Sequence, residues 1–120
     1  MADPVSLGQF EQLVLAAILM LGEKAYGVTI HAKVEELARP KKVSLGPVYV
    51  TLDRLEDKGL IGSWLSDPTP ERGGRSKRYY KLEKSGERAL HDSVVAARRI
   101  SDAVERAWGG SRKWKTARQS

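Results

Sequence analysis

The stretch that decides the fold is VSLGPVYVTLDRLEDKGLI, residues 43–61. It reads as one short helix: Ser44 is placed to cap it, Pro47 falls in the first turn where a missing N–H costs little, and Gly59 follows Lys58 as a stop. Leu45, Val48, Leu52 and Leu55 recur at threes and fours, which predicts an apolar stripe facing a core. Outside that stripe stand Pro47, Tyr49, Val50 and Thr51, an unusual set to give to water. A second face of this kind predicts a contact of its own.

Upstream, Ser6 is expected to cap a first helix, with Gln9 in the reciprocal capping-box position and the run FEQLVLAAILML, residues 10–21, ending at Gly22. That run is apolar nearly all round, whereas a helix in a small domain needs only one apolar stripe. Its second face, with Phe10 and Leu13, is therefore expected to be covered by another surface. Tyr26 and Gly27 lead into a second helix, VTIHAKVEELA at 28–38, with Val28, Ile30, Val34 and Leu37 expected in the core. Residues 39–42, including Pro40, form the connection to the third helix.

Downstream of Gly59 the period changes. Residues 60–67 favour a strand around Trp64, DPTPERGGRSK at 67–77 collects Pro, Gly and charge, and residues 78–82 carry Tyr79 and Tyr80. Two short strands around a long basic loop are the simplest account. From residue 83 or 84 to 108 a helical pattern resumes, with Leu90, Val94, Ala97, Val104 and Trp108 forming a seam that only Ser101 interrupts. The fold class is thus mainly α with a small β-hairpin. The expected division is a helix-and-hairpin domain over 1–82, a long separate helix over 83–108 whose seam is in need of a cover, and a basic, flexible tail over 109–120.

The bulk numbers agree with one small domain. The chain has 120 residues, a formal net charge of +6 and no cysteine. The charge favours a polyanionic partner, and the missing cysteines remove disulfides, thiolate metal sites and cysteine nucleophiles together. Neither a secretory signal nor a run of membrane-spanning length is evident, so no membrane association and a cytoplasmic location are expected.

Three helices, then a strand, a basic loop and a strand, is the order of a winged helix-turn-helix, whose third helix enters the DNA major groove. The wing sequence ERGGRSKRYYK sets Arg72, Arg75, Lys77 and Arg78 around Gly73 and Gly74. Such glycines let the backbone approach a phosphate, and the cations supply sequence-independent attraction. Lys41 and Lys42, just before the third helix, are candidate phosphate clamps; ordinary loop charge is the alternative for both.

Residues 7–108 also resemble the PadR family of bacterial transcriptional regulators. The resemblance rests on Tyr26 and Gly27, on Gly46, Tyr49, Leu52, Arg54, Leu55 and Glu56, on Gly59, Leu60 and Ile61, and on GGRSKRYYKL followed by Gly86. The chain departs from the commonest family string at Pro47 and Val50, where Thr and Pro are more usual, a difference that bears on base preference. The resemblance implies that the face with Pro47, Tyr49, Val50 and Thr51 points into the groove, where apolar groups meet thymine methyls and hydroxyls meet phosphates or base edges. Ser44, at a helix start, is placed for a phosphate. Packing of Tyr49 and Val50 on a neighbouring element is the competing reading.

The function implied is a sequence-specific regulator, a repressor that binds a palindromic operator on double-stranded DNA as a homodimer. The dimer interface is expected from Phe10, Leu13, Leu90, Val94, Ala97, Val104 and Trp108. The family also implies a small lipophilic or phenolic effector. In its multidrug-binding members a tryptophan on the last helix stacks on the ligand, and the position counted from Gly86 holds Ala97, which offers no aromatic platform. No enzyme, cofactor or metal is expected, because His31 and His91 stand alone without ligand spacing or a nucleophile's partners. The alternative is a winged-helix module for protein association without specific DNA binding.

Overall fold

The computed structural model describes residues 6–66 and 76–109. Three helices come first, α1 (Gln9–Leu21), α2 (Gly27–Ala38) and α3 (Leu45–Asp57), followed by strands β1 (Ile61–Leu65) and β2 (Arg78–Leu82) and a long helix α4 (Lys84–Ala107). The strands pair antiparallel, with Ile61 opposite Leu82, Ser63 opposite Tyr80 and Leu65 opposite Arg78. This is the winged helix-turn-helix order that the sequence predicts.

The described residues up to Leu90 and those from His91 onward form two compact units. In the first, α1, α2 and α3 enclose a core of Val14, Leu15, Ile18, Ile30, Val34, Val48, Leu52 and Leu55, closed by Leu60, Ile61 and Tyr80. Leu45 is exposed and does not extend the α3 stripe, and Val28 and Leu37 are exposed rather than core. Ile30 and Val34, one helical turn apart, suffice to face α2 inward.

The N-cap of α1 is Gly8 rather than Ser6. The Gly8 N–H donates to Glu11 Oε1 at 3.0 Å, so Glu11 supplies the reciprocal half of a capping box in place of Gln9. The other oxygen of Glu11 accepts from Lys58 Nζ at 2.8 Å. Burial pushes the Glu11 carboxyl up, but Lys58 and the Gly8 N–H outweigh it and hold the pKa below the usual carboxylate value. Lys58 thus ties the end of α3 to the start of α1.

The stop after α3 is a paired C-cap. Gly59, at φ +77°, donates to Glu56 O at 2.9 Å, and Leu60 N–H donates to Leu55 O at 3.0 Å. Leu55 and Leu60 are both buried, which supplies the accompanying apolar contact.

The boundary expected at residue 82 falls later, because the first turns of α4 belong to the first unit. Glu83 N–H donates to Leu60 O at 2.9 Å, Ser85 Oγ donates to Gly59 O at 2.7 Å, and Ala89 and Leu90 are buried with the core. A Cβ at Gly86 would collide with the Leu60 carbonyl, so glycine permits this approach.

Candidate nucleic-acid interface

Helix α3 presents three different surfaces. Val48, Leu52 and Leu55 are fully buried. Thr51 lies three residues after Val48 and four before Leu55, so it shares their face and is only 5% exposed. That corrects the expectation that Thr51 stands on the outer face; its 3-and-4 spacing was the signal that could have placed it. Pro47 is exposed, and Val50 is 57% exposed.

Tyr49 is intermediate between these two surfaces. It is 42% exposed, yet the end of its ring lies against Gly27, where an added Cβ would overlap the hydroxyl. Packing on a neighbouring element is therefore part of what Tyr49 does. Ser44 occupies the N-cap position and is exposed, but its side chain makes no capping hydrogen bond.

The connection before α3 is fastened to α2. His31 Nε2 lies 2.6 Å from Val43 O, and since a carbonyl only accepts, this nitrogen carries the proton. Val43 N–H donates to Glu35 Oε2 at 3.3 Å. His31 is thus a structural fastener, a role the sequence did not indicate because its partner is a backbone group twelve residues away. Lys41 and Lys42, next to this anchor, are exposed. With Ser44 and Pro47 they border an open groove of about 770 Å3 that Phe10 and Leu13 also line.

At the root of the hairpin, Lys77 and Arg78 are described, whereas Arg72 and Arg75 lie outside the described residues. Lys77 Nζ sits 4.0 Å from the centroid of the Tyr26 ring. Arg78 Nη1 donates to Ser63 Oγ at 2.8 Å, and Ser63 Oγ donates to Glu56 Oε2 at 2.7 Å, which fastens the hairpin to α3. Tyr79 packs edge-on against Tyr26 with centroids 5.4 Å apart and stacks on Trp64 at 5.9 Å. A single antiparallel bridge joins Tyr26 to Tyr79, and Tyr80 N–H donates to Ala25 O at 2.9 Å. Residues 25–26 thereby flank β2 on the side away from β1, a pairing too short to show in the sequence pattern.

The model of the transcriptional regulator PadR-like family matches residues 14–92, more than half of the chain. The chain belongs to the PadR-like family. Solved structures of similar shape include a PadR family transcription regulator from Clostridium difficile R20291, with 26% identity, a TM-score of 0.68, and 82% of this chain and 97% of that one covered. A PadR-like transcription factor from Bacteroides fragilis has 26% identity and a TM-score of 0.66, covering 83% of this chain and 90% of that one. Bacillus subtilis PadR in complex with operator DNA has 26% identity and a TM-score of 0.60, covering 71% of this chain and 46% of that one. No curated protein matches the chain.

PadR-like proteins are transcription regulators, not enzymes. In this PadR-like chain the residues expected at a dimer interface divide into two groups. Leu90 is only 7% exposed and belongs to the core of the first unit, because the start of α4 folds back onto Leu60; it is corrected from interface to core. Phe10 and Leu13 are half-buried and pack against that core. Within residues 91–109, Val94, Ala97, Val104 and Trp108 are exposed, and Ile100 adds a further exposed apolar side chain. On α1, Leu19 and Met20 are exposed. No described helix is long and apolar enough to cross a membrane.

Proposed function

We propose that this PadR-like protein is a sequence-specific DNA-binding regulator that represses transcription as a homodimer on a palindromic operator. The observation that carries the reading is the outer face of α3, where Pro47 and Val50 are exposed and the half-exposed Tyr49 ring lines a recess together with Lys77 and Arg78 at the hairpin root. Apolar groups on such a face suit thymine methyls, and the flanking cations suit phosphates. Ser44, Lys41 and Lys42 serve as phosphate contacts at the start of the helix, and Arg72 and Arg75 extend the basic wing. The comparison with Bacillus subtilis PadR on operator DNA supports the same reading.

One recognition helix spans only a few base pairs, so two copies about 34 Å apart are needed to meet successive major grooves. The exposed apolar side chains Val94, Val104 and Trp108, with Leu19 and Met20 on α1, supply surface for a two-fold contact. Selection of duplexes from a random pool by the purified protein tests the reading. A recovered palindrome whose affinity falls steeply with added salt supports it. No retained duplex at low salt refutes it and favours protein association. A small lipophilic or phenolic effector belongs to the same reading and is checked by titration of the intrinsic tryptophan fluorescence.

A further inference from the structure

We propose that a recess between the start of α2, α3 and the hairpin root seats one phosphodiester group of the DNA backbone, with the buried Tyr80 hydroxyl as a donor to it. This rests on the DNA-binding reading above. The recess has a volume of about 390 Å3, and Tyr26, Gly27, Val28, Tyr49, Lys77 and Tyr80 are among its lining residues.

Tyr80 is the first reason to read it as a site. The residue is only 4% exposed, and its hydroxyl makes no hydrogen bond with any described residue. A buried hydroxyl without a partner is costly, so its retention at this wall asks for an acceptor that arrives from outside. A phenol carries its proton at neutral pH and can donate it to a hydrogen bond, and burial pushes the Tyr80 pKa further in that direction.

The start of α2 is the second reason. Gly27 and Val28 are its first two residues, and helix geometry leaves their N–H groups without intrahelical acceptors. Thr29 serves the Tyr26 N–H instead, at 3.0 Å, and no described group accepts from Gly27 or Val28. The positive end of the helix dipole therefore opens into the same recess as the Tyr80 phenol.

Charge decides the kind of ligand. Lys77 and Arg78 are in the lining and no carboxylate is; Asp53 and Glu56, the acids that act on Tyr80, lie outside it. The Tyr26 ring holds the Lys77 ammonium, while Arg78 is committed to Ser63. Helix N–H groups, an ammonium and phenol hydroxyls all offer protons. A phosphodiester oxygen, which only accepts, matches that set.

The test is Tyr80→Phe, which removes one oxygen and leaves the ring in the core. The selected operator and a scrambled duplex should both lose affinity by about the same factor, tenfold or more, as expected for a hydrogen bond to a charged acceptor. The melting temperature should stay level or rise, since the free protein loses an unpartnered hydroxyl. A second measurement uses operators with a single neutral methylphosphonate linkage moved along the site. One linkage per half-site should weaken the parent by a larger factor than it weakens Tyr80→Phe, whose remaining donors still meet that phosphate, and this coupling is readable even if the variant melts lower. Parent-like binding by Tyr80→Phe, or the absence of any coupled linkage, overturns the inference while leaving the DNA-binding reading standing. Failure of the parent to bind any duplex overturns both.

Discussion

Replacing Gly27 by alanine tests whether Tyr49 works from the place where α2 holds it. A methyl at position 27 would overlap the hydroxyl, Cζ and Cε1 of Tyr49. These atoms are the far end of a side chain that is already half in solvent, so the ring can turn outward without moving the backbone. Holding a side chain off its preferred rotamer costs about 0.5–1.5 kcal/mol. Alanine is favoured over glycine by about 0.8–1.0 kcal/mol in a helix interior, which is an upper bound at the first helical position that Gly27 holds. The two effects oppose each other, so Gly27→Ala should leave the unfolding free energy within about 1 kcal/mol of the parent. DNA binding should respond differently. If the Tyr49 ring contacts a base edge, its displacement forfeits about 1–3 kcal/mol of discrimination, roughly 5- to 150-fold in the ratio of operator to scrambled-duplex affinity. Fluorescence anisotropy on both duplexes at one salt concentration, with Gly27→Ala, Tyr49→Ala and the double variant, measures this. The double variant should lose no more than Tyr49→Ala alone, since the same ring is lost each time. Full operator affinity in Gly27→Ala, or losses that add in the double variant, would refute the reasoning.

Gly86→Ala should act on stability alone: its Cβ meets the Leu60 backbone carbonyl, which cannot swing aside, and overpacking of this kind costs about 1–3 kcal/mol, seen as a lower melting temperature. The lowered pKa of Glu11 gives a pH dependence with a definite sign. The stability it contributes is complete above its unfolded value of 4.5 and fades as pH falls through the lower folded value. Chemical denaturation between pH 6 and 3 should therefore show a loss that Glu11→Gln lacks, and equal slopes in both proteins would contradict the assignment. Replacing Val94 and Val104 together by Asp should give monomers by light scattering and abolish tight palindrome binding while the helical circular dichroism of the first unit persists; an unchanged oligomeric state would remove these residues from the interface.

Most of the backbone path was legible because each element carries strong local signals. Helix α3 has a proline in its first turn and a Gly59 stop, and the hairpin has β-favouring runs on either side of a Pro- and Gly-rich loop. The errors came where a local pattern competes with a distant partner. Ser6 looks like a better cap than Gly8, but Glu11 is fixed from the other side by Lys58, forty-seven residues away, and reaches back to Gly8. Val28 and Leu37 have the right period for the core, yet the first turn of α2 opens onto the recess beside Tyr49 and its last turn onto the groove beside Phe10. Leu90 continues the α4 seam in sequence, while the glycine at position 86 lets that end of the helix sink against Leu60. The partners of His31, Arg78 and Tyr26 were hidden for the same reason, since each contact is made across elements.

Those cross-element contacts separate what is held from what is free to vary. The hairpin root is fastened to α3 through Arg78, Ser63 and Glu56, and to the start of α2 through Tyr79 and Tyr26. The start of α3 is fastened to α2 through Val43, His31 and Glu35. The helix and the hairpin root therefore meet a ligand already oriented, which spares the conformational entropy of ordering them on binding. Pro47 and Val50 take part in none of these fastenings, and they are also where the chain departs from the commonest family string. On the proposed reading, a change at either is expected to alter which base is met without loosening the frame, whereas a change at Ser63 or His31 alters the frame that holds α3 and the hairpin root. On the DNA-binding reading proposed above, specificity is thus assigned to side chains whose replacement leaves the fold intact.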